Sequence, residues 1–144
     1  TYAIGRIDFP DFLHRGKKGQ FWRIPIYSNT KLALLLFTIE LAERLREKGI
    51  TVNAADPGVV STDIITMHKW FDPLTDIFFR PFIRKPKEGA STAIGLLLDE
   101  KEAGVTGQLY VSNHRKNLPD KYVNHVQKKQ LWEITERSLV QWLE

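Results

Sequence analysis

The feature that most restricts the fold is the stretch Leu32-Ala33-Leu34-Leu35-Leu36-Phe37, continued by Ile39, Leu41, Ala42 and Leu45. It predicts one long helix from Ile26 or Tyr27 to Lys48. Its first half leaves little polar surface anywhere on its circumference. Such a helix must be covered on more than one side. One side would lie on a sheet, and the other needs a second helix or another subunit. Arg44, Arg46 and Lys48 stand in the last turns, where cations suit the helix macrodipole. Gly49 is a natural stop.

The segment after this helix, Ile50-Thr51-Val52-Asn53-Ala54-Ala55, has an apolar, β-branched start. It predicts a buried parallel strand over 50–55, ended sharply by Pro57-Gly58. Residues 63–86 then form a long connection with Pro73, Pro81 and Pro86, carrying Met67, Trp70, Phe71, Phe78, Phe79 and Phe82. Loops of this length inside a compact unit usually serve as lids or binding loops. Pro86 and Glu88 mark the start of a second helix running through Leu98. Gly89, Ala90, Ser91, Ala93 and Gly95 make that helix slim enough for close packing. Gly107–Val111 predicts a second short strand, and Asn117-Leu118-Pro119-Asp120 a turn. A last helix is expected over about 121–143, with Val123, Val126, Leu131, Ile134, Leu139 and Trp142 near helical spacing. Residues 1–26 read as an irregular lead-in tacked down by Phe12, Phe21 and Trp22.

The order helix, strand, lid, helix, strand, helix is that of the second half of a doubly wound α/β fold. Two parallel strands and three main helices are expected, the strands joined by a right-handed crossover as in about 98% of such connections. Two strands are too few for a free-standing sheet with both faces covered. The 144 residues show no internal repeat and no domain boundary, so they are read as one partial domain.

Composition narrows the function. The chain has no cysteine, which excludes disulfides and thiolate metal sites and fits a reducing, cytoplasmic setting. Its net charge of +4 is spread among acids, so no nucleic-acid partner is expected. His14, His68, His114 and His125 have no ligand spacing, and no metal is expected. No Gly-x-Ser-x-Gly setting supports a hydrolase. No run reaches membrane-spanning length. The aromatic residues of 63–82 have two readings, a substrate lid or attachment to a membrane surface.

At the head of the long helix stands Tyr27-Ser28-Asn29-Thr30-Lys31. Residues four apart share a helix face, so a phenol and an ammonium fall into one electrostatic environment. A free phenol titrates near about 10, and a neighbouring cation favours its phenolate. Such a pair is suited to moving a proton on and off an alcohol or ketone oxygen. Alone the motif is weak, because two common residues often fall four apart by chance. After one helix and one strand, however, comes Asp56-Pro57-Gly58-Val59-Val60-Ser61-Thr62.

Together the two stretches resemble the short-chain dehydrogenase/reductase family, which carries Tyr-x-x-x-Lys on a helix and Pro-Gly-x-x-x-Thr after the next strand. The lead-in, with Arg6-Ile7-Asp8-Phe9, looks like the retinol-dehydrogenase-like subgroup. The resemblance implies the C-terminal half of a Rossmann-type fold and an NAD(P)-dependent oxidoreductase acting on an alcohol or carbonyl small molecule. It implies that Tyr27 exchanges the proton while Lys31 assists it and holds the nicotinamide ribose. Pro57, Gly58, Val60 and Thr62 would then approach the nicotinamide of NADP or NAD. Met67, Trp70 and Phe71 would line the site of a bulky apolar substrate. The family's Gly-rich phosphate turn has no counterpart among the nine glycines. The family's serine would fall near Leu13, His14 and Arg15 or just before Thr1. These gaps lead to the expectation of an N-terminal nucleotide-binding half outside the 144 residues, without which the fragment is inactive. A homo-oligomer through the two apolar helices is also expected. The alternative is a non-catalytic association or peripheral membrane-binding module.

Overall fold

A computed structural model of the chain describes residues 2–9, 23–60 and 84–142. The first long element is helix α1, Arg23–Leu45, followed by a 3-10 turn at Arg46–Lys48. It begins several residues before the expected Ile26 or Tyr27. Pro25 sits in its first turn, where a missing N–H breaks no helical hydrogen bond. Gly49 ends it as expected, in the left-handed region at φ 68°, with its N–H donating to Arg46 O.

Helix α1 is covered on two sides, as its composition requires. Leu32, Ala33 and Leu36 form one core with Tyr122 and Leu131, joined by Tyr2, Ile7, Phe9 and Phe37. Leu35 and Ile39 form a second core with Leu109, joined by Ala54, Val111 and Leu118. Leu36 is completely buried. Burying a leucine of this kind contributes roughly 1.5–3 kcal/mol, so among the described residues this double face is the main apolar contribution. The first cover is a helix of the same chain, and the second is the sheet.

The strands are β1 (Ala54–Asp56), β2 (Leu109–Val111) and β3 (His114–Lys116), in the order β1-β2-β3. β1 and β2 pair in parallel, with Ala54 opposite Leu109 and Asp56 opposite Val111. The segment between them contains helix α2, Pro86–Leu98. β1 is shorter than the expected 50–55, and Ile50 is half exposed. Ahead of Ala54, side chains join the backbone pairing, in which Gly107 N–H still donates to Val52 O at 2.8 Å. Val52 N–H donates to Thr106 Oγ1 at 3.0 Å, and Gln108 N–H to Asn53 Oδ1 at 3.0 Å. Asn53 Nδ2 in turn donates to Val105 O at 2.7 Å.

The expectation of two parallel strands is corrected by β3, which pairs antiparallel with β2 and makes the sheet mixed. Ser112 and Asn113 turn the chain with φ of 56° and 67°. A two-residue hairpin turn of the favoured kind needs positive φ at both central positions. Ser-Asn meets that need without the glycine that would have announced it. His114-Arg115-Lys116 also has no apolar alternation, because all three residues are exposed at the sheet's edge.

The last helix is corrected too. In place of one helix over 121–143 there are α3 (Asp120–Val123) and α4 (Lys128–Leu139), with a 3-10 turn at Val140–Trp142. The break sits at His125, whose Nδ1 accepts from Gln127 N–H at 3.2 Å while its carbonyl accepts from Lys128 N–H. The imidazole thus substitutes for a helical carbonyl. Of the expected apolar face only Leu131 is buried, whereas Val126 is 90% and Trp142 76% exposed. Helix α4 docks on α1 through Trp132, stacked on Phe37 at 5.0 Å and covered by the Arg44 guanidinium. Lys128 Nζ reaches Glu43 Oε1 at 2.5 Å.

Helix α2 begins with Pro86 as its first residue, and Glu88 accepts from Lys85 N–H at 2.9 Å to close the first turn. On the sheet face opposite Leu109 and Val111, the buried Tyr110 donates its hydroxyl to Glu102, which also accepts from Arg115 Nη2 at 2.9 Å. The hydrogen bond from Tyr110, then that from Arg115, holds the Glu102 carboxyl below its usual range. Burial, then the Glu102 contact, pushes the Tyr110 phenol up. A depressed carboxyl stabilises the fold above its unfolded value of about 4.3 and loses that contribution as pH falls through the lower folded value. Glu102→Gln should therefore lower the denaturation midpoint at neutral pH, with the gap to the parent closing below about pH 4. A gap that stays constant from neutral to acid pH would show that the carboxylate charge is irrelevant to this cluster.

Candidate active site

The first turns of α1 are placed by the lead-in. Residues Tyr2–Ile4 form a 3-10 turn, and Tyr2 meets Tyr122 edge-on at 5.4 Å. The chain then passes so close to α1 that a Cβ on Gly5 would lie 2.4 Å from Ser28 O and 2.9 Å from Leu32 Cβ. Glycine is needed there for approach, not for its φ. Arg6 N–H donates to Asn29 Oδ1 at 2.8 Å, fixing the same turn a second time.

This docking sorts the motif residues. Ser28 is fully buried, and its Oγ has no hydrogen-bond partner. Tyr27 is 51% exposed, one helical step away from Ser28. Lys31 is exposed as well, and its Nζ stands 5.2 Å from the centre of the Tyr27 ring. Thr30 Oγ1 donates to Tyr27 O at 2.8 Å, so the helix backbone beneath the pair is doubly held. The i, i+4 reading of Tyr27 and Lys31 is met in space, and Ser28 is turned away from them.

A short link joins the end of α1 to β1, so the two run in opposite senses, and the start of α1 lies at the end where β1 leaves the sheet. Pro57 and Gly58 follow β1 there, both exposed. Gly58 has φ 75°, and its N–H donates to Asp56 Oδ1 at 2.8 Å. The missing Gly58 side chain leaves room for Arg84, whose Cδ and Nε would each lie 3.5 Å from a Cβ there. Val60 is half-buried and pairs in a parallel bridge with Arg84, whose N–H donates to Val59 O at 2.8 Å. The Val60 side chain fills the space where Gly89 lacks one; a Cβ there would lie 2.5 Å from Val60 Cγ2. Thr62, Met67, Trp70 and Phe71 lie outside the described residues, as do Leu13, His14 and Arg15.

Several residues that build this end of the molecule have no motif to announce them. Gly5 and Asn29 fix the Tyr27 turn, and Arg84 ties the Gly58 loop to the hairpin by donating from Nη2 to Ser112 Oγ at 2.6 Å. The only signal for Arg84 was its place just ahead of Pro86. Among the described residues, no group of His, Cys, Asp and Glu is arranged to hold a metal ion.

A family model described as enoyl-(acyl carrier protein) reductase matches residues 15–114. Human retinol dehydrogenase 14 is 33% identical over 138 residues, covering 94% of this chain and 40% of the relative. Human dehydrogenase/reductase SDR family member 13 is 32% identical over 139 residues, 95% of this chain and 37% of that protein. The WW domain-containing oxidoreductase of Drosophila melanogaster is 29% identical over 126 residues, 87% of this chain and 31% of that protein. The chain therefore spans less than half the length of these relatives. No solved structure matches it. Taken with the Tyr27–Lys31 pair and the Pro57-Gly58 loop at one end of a parallel strand pair, these matches identify the chain as a member of the short-chain dehydrogenase/reductase family.

Proposed function

We propose that this chain supplies the proton-transfer part of an NAD(P)-dependent oxidoreductase that interconverts an alcohol and a ketone or aldehyde. The observation that carries the reading is the exposed Tyr27 phenol with the Lys31 ammonium 5.2 Å from its ring centre. When bound, NADP or NAD supplies or accepts the hydride. In the reductive direction the Tyr27 hydroxyl gives its proton to the carbonyl oxygen, and the phenolate left behind is stabilised by Lys31. Exposure of both groups lets the proton be replaced from solvent. Lys31 would also hold the nicotinamide ribose, and Pro57, Gly58, Val60 and Thr62 are the residues that would hold the nicotinamide. Met67, Trp70 and Phe71 are assigned to a bulky apolar substrate, in keeping with the retinol named for several relatives.

Turnover and nucleotide binding separate the two roles in the complete enzyme. Tyr27→Phe should cut turnover about 10²-fold or more while leaving cofactor affinity nearly intact, since only the titrating hydroxyl is lost. Lys31→Ala should weaken both, because the ribose contact goes with the charge. Full activity in Tyr27→Phe would end this assignment.

The 144 residues contain no Gly-rich turn to cradle a pyrophosphate at a helix N-terminus. We therefore place that function, and the family's serine, outside this stretch. The 144-residue chain alone should bind NADH or NADPH too weakly for calorimetry and turn over no alcohol. Turnover by that segment with either nucleotide would refute the division.

A homo-oligomer through α1 and α2 is the partner arrangement we favour. Leu34 is 56% exposed on α1, and Ile94, Leu97 and Leu98 are 50%, 84% and 77% exposed on α2. Sedimentation should give a dimer that Leu97→Lys converts to monomer, and a monomeric parent would count against it. Among the described residues no helix is long and apolar enough to cross a membrane. Surface attachment through the aromatics of 63–82 is the second reading, and liposome co-sedimentation separates it from self-association.

A further inference from the structure

The parallel strands β1 and β2 leave the sheet at the same end, and ligands of open α/β sheets bind outside the carboxyl ends of the strands. At that end, between the Ser112-Asn113 turn and the start of α2, lies an open depression of about 530 Å³. Arg84, Lys87, Glu88, Ser91, Ser112 and Asn113 line it. None of these residues belongs to the Tyr-x-x-x-Lys or Pro-Gly-x-x-x-Thr motif.

The polar groups around it are held in place. Arg84 is anchored by its backbone to Val59 and by Nη2 to Ser112 Oγ, and its Cδ and Nε each lie 3.5 Å from the point where a Cβ on Gly58 would stand. Ser91 Oγ donates to Glu88 O at 2.7 Å and lies 3.1 Å from Asn113 Oδ1. Asn113 N–H donates to the buried Thr92 hydroxyl at 3.1 Å. The hairpin turn is thus locked onto α2 at two points, with Ser112 and Asn113 both at positive φ. Glu88 is the one acid of the lining, and its Oε2 is engaged with Lys85 N–H. Two cations against one engaged carboxylate leave the depression positively charged. A planar guanidinium beside hydroxyl and amide groups suits the geometry of a phosphate or carboxylate.

We propose that this depression binds an oxyanion, a phosphate or carboxylate group carried by a ligand of the carboxyl-end site. Arg84 contributes the directional contact, Lys87 the added charge, and Ser112 the hydroxyl that orients the guanidinium. Because Arg84 also abuts Gly58, an anion seated here is continuous with the loop assigned to the nicotinamide. It would anchor one end of a ligand whose reacting carbon lies toward Tyr27. The anion site itself does not depend on the redox reading, since its occupancy is measured without turnover.

The test is a titration of inorganic phosphate, and separately of acetate, into the isotope-labelled protein at constant ionic strength, followed by amide resonances. Saturable shifts at Gly58, Ser112 and Asn113, with Gly107 and Ala42 at the other end of the sheet unmoved, are expected. Saturation by phosphate alone identifies a phosphate-bearing ligand, saturation by acetate alone a carboxylate-bearing one, and saturation by both a site that takes either oxyanion. Arg84→Gln should weaken binding about tenfold, the scale of one lost charge-assisted hydrogen bond. Should that variant disturb the hairpin through Ser112, Lys87→Gln keeps the test open, since it removes charge from an exposed side chain outside the turn. It should weaken binding about threefold and leave the spectrum of the free protein unchanged. Shifts that never saturate for either anion, or saturate equally in both variants, would overturn the proposal.

Discussion

Everything in this structure leans on the burial of two neighbouring faces of α1. Leu32 and Leu36 face Tyr122 and Leu131, while Leu35 and Ile39 face Leu109 of the sheet. Adjacent leucines therefore serve different cores. The helix is wedged into the angle between the two cores and exposed on its remaining side, and anything fixed to its first turns inherits its rigidity. Tyr27 and Lys31 occupy those turns, exposed but standing on fully buried Ser28. A solvent-facing site gains precision from a helix that has no freedom to roll.

The lead-in adds a second constraint of a different kind. Gly5 meets the α1 backbone at a distance no side chain would permit, and Asn29 captures the next N–H. These contacts come from residues 23 positions ahead of the ones they hold. The fold and the site share this joint, because the Tyr2 ring that packs on Tyr122 also sets where the chain crosses Ser28.

The sequence was legible where one residue type has one dominant physical consequence. Gly49 at a helix end, Pro86 at a helix start and the all-round apolar run of α1 each had a single good reading. That the Tyr27 and Lys31 side chains are neighbours was legible because helical spacing brings residues four apart together. Tertiary exchange of hydrogen bonds was not legible. Asn53 and Thr106 replace ladder contacts with side-chain ones and shorten β1, and the His125 imidazole replaces a helical carbonyl and splits the last helix. β3 stayed hidden because a strand exposed along its length needs no apolar alternation. Beyond its place ahead of Pro86, Arg84 gave no sign, because its contacts are with Gly58 and Ser112, distant in sequence and adjacent only after folding.

The composition of β3 has a consequence for how this sheet is able to grow. His114, Arg115 and Lys116 place charged or ionisable groups along the whole of one border, and Arg115 is committed to Glu102. A further strand arriving there would have to strip water from a basic row while meeting its like-charged counterpart in any second copy. Charged edge residues of this kind discourage unwanted strand addition. β1 carries the opposite composition, Ala54-Ala55-Asp56, and has β2 as its only strand neighbour among the described residues. The sheet is thus polar in the sense of a one-ended ladder. Its closed rail is basic, and its open rail is small with Asp56 as its one charge, so the β1 side is the less guarded of the two.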